Sequence, residues 1–181
     1  VSITEDNGYY QSITVRRVLR VPGAYDFINR KREEAIAECP VTLTINLEKG
    51  NKTLKLNYMV ENRAKDHRIR LLVKTGLLSD TTISDTPFDI IYRKDSDHYF
   101  NTRSKVFPNS SFVAAEANES GMAVLTMGQR EYEHIPETGT LAFTVVRGTG
   151  AISRDGSSLK VSGGDQWICP ENQCLRLMSG Q

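Results

Sequence analysis

Apolar residues recur at every second position along much of this chain. Ile13, Val15, Leu19 and Val21 fall on one face of an extended segment, with Thr14, Arg16 and Arg20 on the other. Val41, Leu43, Ile45 and Leu47 alternate with Thr42, Thr44 and Asn46, and the chain returns through Leu54, Leu56, Tyr58 and Val60. Between the two runs, Lys49-Gly50-Asn51-Lys52 supplies residues that tolerate positive φ. The pattern predicts an antiparallel hairpin over 41–60 with those eight side chains on its buried side. A register slip of one residue would turn all eight outward together.

Further short strands are predicted at 69–73, 88–93, 112–115, 122–127 and 141–146, with Gly121, Gly128, Gly139 and Gly148 between or beside them. Strands of this length bounded by turn residues predict an all-β fold, an antiparallel β-sandwich in one domain over residues 1–181. At most one short helix is expected, near 26–30, where Pro22-Gly23 and Pro40 flank good helix formers. The apolar positions there form no stripe, so 31–38 stays open. The Gly, Ser and Asp of 148–166 predict a surface excursion.

Charge narrows the function classes. Lys and Arg number 23 against 22 Asp and Glu, a net +1 over 181 residues. A nucleic-acid binder normally carries a basic excess, so no nucleic-acid partner is expected. No apolar run nears the ~20 residues that span a bilayer, so no membrane partner is expected either. Three cysteines, Cys39, Cys169 and Cys174, make an odd set that suits a reducing compartment, hence a cytoplasmic location with free thiols.

Catalytic signatures are missing: no G-x-S-x-G, P-loop, G-x-G-x-x-G or H-E-x-x-H occurs. Asp66-His67 and Asp97-His98 pair a carboxylate with an imidazole, but neighbours on a strand face opposite ways and cannot chelate one ion without a bend. Cys169 and Cys174 are spaced too widely for a zinc ribbon or a redox pair. Acidic residues are so plentiful that no glycosidase pair can be singled out. Tyr9, Tyr10, Tyr25, Tyr92, Tyr99 and Trp167 could stack on sugars, although packing explains most of them more simply. Neither catalytic residues nor a metal site are therefore assigned on this chain.

One cluster stands out, Glu61-Asn62-Arg63-Ala64-Lys65-Asp66-His67-Arg68-Ile69-Arg70. It reads either as a polar connection into an edge strand or as an ion-pair network joining parts of a larger protein. Adjacent strand residues alternate, so one of His67 and Arg68 should face inward. An inward arginine should pair with Asp66 or Asp85.

The same cluster carries a resemblance. E-N-R-A-K-D-H-R-I-R-L-L at 61–72 with T-G-L at 75–77 resembles a strand entry of glycoside hydrolase family 38, the α-mannosidases and mannosylglycerate-hydrolase-like enzymes. S-D-T-P-F-D at 84–89, R-E-Y-E at 130–133, G-T-L-A-F-T-V-V-R at 139–147 and P-E-N-Q-C-L at 170–175 resemble later segments of the same family, in order. The resemblance implies part of a supersandwich-like C-terminal β-domain of a bacterial, intracellular enzyme that cleaves an α-mannoside. It implies that zinc, nucleophile and acid/base belong to a catalytic domain of the same polypeptide, which this domain packs on and frames. The fragment alone is then expected to be inactive, and the Val1 start fits a piece of a longer enzyme. Asp66, His67, Arg68, Arg70 and Asp85 become candidates for domain-interface or sugar contact. An independent carbohydrate-binding module, or a purely structural domain mediating oligomerisation, is the alternative.

Overall fold

β-branched runs joined by Gly, Asn and Asp turns build most of the described residues. The structure, a computed structural model, describes residues 1–26, 29–94 and 105–148, with the backbone of 154–155 and 158–159. It divides into two compact units, Val1–His67 with Gly148–Gln181, and Arg68–Arg147.

In the first unit the strands are β1 (Ser2–Asp6), β2 (Tyr10–Pro22), β3 (Tyr25–Asp26), β4 (Lys31–Arg32), β5 (Ile36–Glu48) and β6 (Lys55–Val60). They form an antiparallel sheet in the order β1-β2-β5-β6 and a small β3-β4 pair. β2 and β5 pair without a break from Tyr10↔Glu48 to Pro22↔Ile36. The expected hairpin is present, with Val41↔Val60, Leu43↔Tyr58 and Ile45↔Leu56 in register. Gly50, at φ 79°, and a hydrogen bond from the Asn51 N–H to the Glu48 carbonyl (3.0 Å) close its turn.

Burial across that hairpin differs from the expectation. Towards the turn, Leu47, Leu54 and Leu56 are exposed, whereas Ser12, Thr14 and Asn46 on the opposite face are buried. Hydroxyls make that polar face tolerable, because Thr14 Oγ1 lies 2.9 Å from Thr4 Oγ1 and 3.3 Å from Thr44 Oγ1. Alternation marks two faces of a strand but does not say which is covered. The short helix near 26–30 is also corrected. Asp26 is in β3, Asn29 and Arg30 form a turn, and Arg30 sits at φ 55°. The Asn29 N–H and Nδ2 bond the Asp26 carboxylate at 3.0 and 2.6 Å, so side-chain turn chemistry displaces helix propensity. The open stretch 31–38 becomes β4 and the start of β5.

Apart from the end residues His67 and Gly148, which fall in the first unit, the second unit contains β7 (His67–Lys74), β8 (Thr81–Thr86), β9 (Asp89–Lys94), β10 (Val106–Pro108), β11 (Phe112–Ala117), β12 (Ser120–Leu125), β13 (Glu131–Ile135), a 3-10 turn (Pro136–Thr138) and β14 (Thr140–Gly148). Its sheets run β10-β13-β14-β7 and β12-β11-β8-β9. Phe107, Val113, Tyr132, Leu141 and Phe143 form the core, with Val73 and Val124 packed against it. Members come from both sheets, so the unit is an antiparallel sandwich, the fold class anticipated from sequence. The Tyr132 ring lies 5.9 Å from that of Phe107 and 6.4 Å from that of Phe143, both tilted. Backbone pairing is also present between β15 (Arg154–Asp155) and β16 (Ser158–Leu159). The expectations for most of 148–166, for Asp97-His98, Tyr99 and Trp167, and for Cys169 to Cys174 fall outside the described residues. Cys39 is a free, buried thiol.

Candidate functional site

β7 alternates as predicted, with Val73 on the core and Arg68 and Arg70 on the opposite face of the sheet. β13 alternates in the same way, burying Tyr132 and His134 and turning Glu131 and Glu133 outward. Between β7 and β13 lies β14, so an arginine must reach across roughly two strand spacings, about 9–10 Å, to meet a glutamate. Ala142, opposite Glu133 on β14, is small enough to let it pass.

Arg70 donates to Glu133 at 2.6 Å, and Arg68 donates to the same Oε2 at 3.2 Å. Arg68 also lies 3.9 Å from Glu131, which accepts from Arg147 Nε and Nη2 at 3.0 and 2.6 Å. Three guanidinium groups thus share two carboxylates, leaving one positive charge in excess. The acid for Arg68 is therefore Glu133, with Glu131 further off, and not the expected Asp85. Strand alternation puts Arg68 on the outer face of its own sheet, whereas Asp85 belongs to the other sheet of the sandwich.

Asp85 has a different task. Its carboxylate accepts from the N–H of Ser110 (3.2 Å), Ser111 (2.8 Å) and Phe112 (3.0 Å) and from the Ser111 hydroxyl (2.6 Å). Burial pushes this carboxyl up, but the Ser111 hydroxyl and the three N–H groups outweigh it and hold it well below the usual aspartate range. The group staples the loop before β11 to the end of β8.

Asp66 and His67 belong to the first unit. Asp66 sits at φ 55°, and its Oδ2 accepts from the Tyr25 N–H at 3.4 Å. His67 Nδ1 lies 3.2 Å from the Lys65 carbonyl, and its Nε2 is buried without a hydrogen-bond partner. Arg68 and Arg70 are thus brought together, while Asp85 stands apart from them. Sequence reasoning missed Glu131 and Glu133 as their partners, and Arg147 as the third arginine of the cluster. The signal was the alternation Glu131-Tyr132-Glu133-His134, which lay in a segment not read as a strand.

A second polar constellation runs through the sandwich interior. Tyr132 Oη lies 2.9 Å from Thr82 Oγ1 and 3.4 Å from Ser84 Oγ, and Arg93 Nε lies 3.4 Å from that same Ser84 Oγ. All four residues are buried, and the Arg93 guanidinium carbon stands 5.3 Å from the Phe107 ring centroid. Among the described residues, no three His, Cys, Asp or Glu side chains gather as a metal-holding group. The chemistry on view is ion pairing and hydrogen bonding.

The family described as "Glycosyl hydrolases family 38 C-terminal domain" matches residues 2–151. A curated protein named "Putative mannosylglycerate hydrolase", from Halalkalibacterium halodurans, is 27% identical over 173 residues, covering 84% of this chain and 18% of its own length. A solved alpha-mannosidase from Enterococcus faecalis V583 superposes with a TM-score of 0.79 at 22% identity, covering 96% of this chain and 20% of that one. A second Enterococcus faecalis structure, a protein in the glycosyl hydrolase family 38, gives 0.73 at 21% identity, covering 91% and 21%. The chain spans about a fifth of the length of these relatives.

Proposed function

The chain belongs to the glycosyl hydrolase family 38 C-terminal domain family, and from that premise we propose that it is the non-catalytic β-domain of a zinc-dependent, retaining α-mannosidase-like hydrolase of the cytoplasm. It packs on and frames the catalytic part of the same polypeptide, where the zinc and the reacting carboxylates reside. The family match extends over both compact units, which supports treating them as one functional domain.

A surface of the second unit carries this reading. On the outer face of the sheet β12-β11-β8-β9, Tyr92 and Ile90 on β9 and Leu125 on β12 are 69%, 54% and 73% exposed. Phe88 and Met127 at the neighbouring turns are 101% and 93% exposed. Exposed apolar side chains grouped on one sheet face mark a contact surface. Relatives about five times longer contain the polypeptide to cover it.

Activity and assembly test the proposal separately. The 181-residue chain should hydrolyse no aryl α-mannoside with or without added Zn²⁺, since a retaining mechanism needs a nucleophile and an acid/base on a prepared site. Turnover above a buffer blank would overturn the non-catalytic assignment. In the whole polypeptide, Tyr92→Ser with Leu125→Ser should lower the melting temperature and free the domain to limited proteolysis. Unchanged stability and protection would remove this face as the contact surface. The exposed rings of Tyr92 and Phe88 favour one other reading, a carbohydrate-binding module. Calorimetric titration with manno-oligosaccharides should give no heat, and a Tyr92-dependent signal would establish the module instead.

A further inference from the structure

We propose that the guanidinium of Arg93 is a built receptor for a single carboxylate, at the lateral edge of the second unit's sandwich. Arg93 is 6% exposed, and a cation that far from water needs a negative partner. No carboxylate among the described residues lies within ion-pairing distance of it. Among the described residues of this unit, Arg68, Arg70 and Arg147 each form an ion pair with a glutamate.

What surrounds Arg93 orients it without neutralising it. Ser84 Oγ accepts weakly from Nε at 3.4 Å, and the Phe107 ring stacks below the guanidinium carbon at 5.3 Å. Ser84 is held in turn by Tyr132 Oη, which Thr82 also engages. The ring and the hydroxyl chain fix the plane of the fork and leave its Nη groups without an acceptor among the described residues. A planar fork with free parallel N–H groups fits a carboxylate bidentately. One buried positive charge calls for a monoanion, since a dianion would leave uncompensated negative charge in the same place. β9 is an edge strand of its sheet, and on it Arg93 is opposite Thr82.

The carboxylate can come from a small acid in solution or from an acidic side chain of the longer polypeptide. The inference does not depend on the function proposed above. To test it, the 181-residue chain is titrated with sodium formate at constant ionic strength, chloride being the balancing anion, with thermal unfolding as the readout. The wild type should gain on the order of 4 °C at ten times the formate dissociation constant. Arg93→Lys, which keeps the charge and loses the fork, should gain less than half of that. Arg16→Lys, an exposed control in the other unit, should respond as the wild type does. Equal formate responses in wild type and Arg93→Lys, or a wild-type response no greater than that to chloride, would overturn the site. Should Arg93→Lys not fold, the wild-type Arg93 Nε–Hε resonance, identified through its contacts to the Phe107 ring, decides. It must shift saturably with formate, and an unmoved resonance also overturns the proposal. In the longer polypeptide, a retained formate response assigns the site to a small acid, and its loss there assigns it to a side chain of the same molecule.

Discussion

Replacing Asp85 by alanine removes one side chain that accepts from three consecutive backbone N–H groups and a hydroxyl. Hydrogen bonds to a charged acceptor are worth about 1.5–3 kcal/mol each when buried. Comparable carboxylate caps on exposed N–H groups cost about 0.5–2 kcal/mol to remove. Asp85 is half-buried, so water can replace part of what it provides, and about 1–3 kcal/mol is the expected loss. For a chain of this size each kcal/mol is roughly 2–4 °C in Tm. Asp85→Asn keeps one acceptor oxygen and should fall near the lower end of that range.

The pH dependence is the sharper measurement. The folded-state pKa of Asp85 is depressed below its unfolded value. Its contribution is therefore fully present above the unfolded value, near 3.9, and is lost as pH falls from there through the folded value. Urea unfolding of the wild type from pH 6 downward should show stability declining below about pH 4. Asp85→Asn should start lower and show a shallower acid decline, so the two curves converge. Parallel curves, or an Asp85→Ala variant within about 0.5 kcal/mol of wild type at pH 6, would refute the claim that this carboxylate organises the loop.

Three other substitutions probe the same unit. Tyr132→Phe deletes the buried hydroxyl between Thr82 and Ser84 and should cost about 1–2 kcal/mol in urea unfolding, while Phe107→Tyr should not compensate. Glu133→Gln removes the negative charge shared by Arg68 and Arg70 and should cost about 0.5–1.5 kcal/mol. Its double-mutant cycle with Arg70→Ala should show a coupling that shrinks at 1 M salt, and additive losses would deny the pair. Gly139→Ala should cost about 1–3 kcal/mol, since Gly139 holds φ 56° and an added Cβ would run into the Leu77 carbonyl; an unchanged Tm would mean the turn relaxes freely.

The strands legible in sequence were those whose alternation contrasts apolar with polar. A one-residue slip between Val41–Leu47 and Leu54–Val60 would put their apolar residues on opposite faces, and the structure has a register that keeps them together. β8 and β13 escaped because their buried positions are Thr82, Ser84 and His134, which hydropathy reads as a loop, with Tyr132 alone between acids. Those residues can be buried only because hydroxyls from two sheets meet, as Thr82 and Tyr132 do, and that meeting depends on the packing of distant segments.

The ionic cluster shows the same division. Sequence alone determined that Arg68 and Arg70 share a face of a strand, because a period of two is a property of the extended backbone. It also determined the family, through short motifs kept in order. Which acids those arginines meet was decided by strand order: β14 inserts between β7 and β13 and brings Glu133 within reach, while Asp85 goes to the other sheet. Which face of the long β2-β5-β6 hairpins is covered was likewise a tertiary matter, since alternation is symmetric between two faces. Only packing distinguishes them, and here it buries Ser12, Thr14 and Asn46 while leaving Leu47 and Leu56 in solvent.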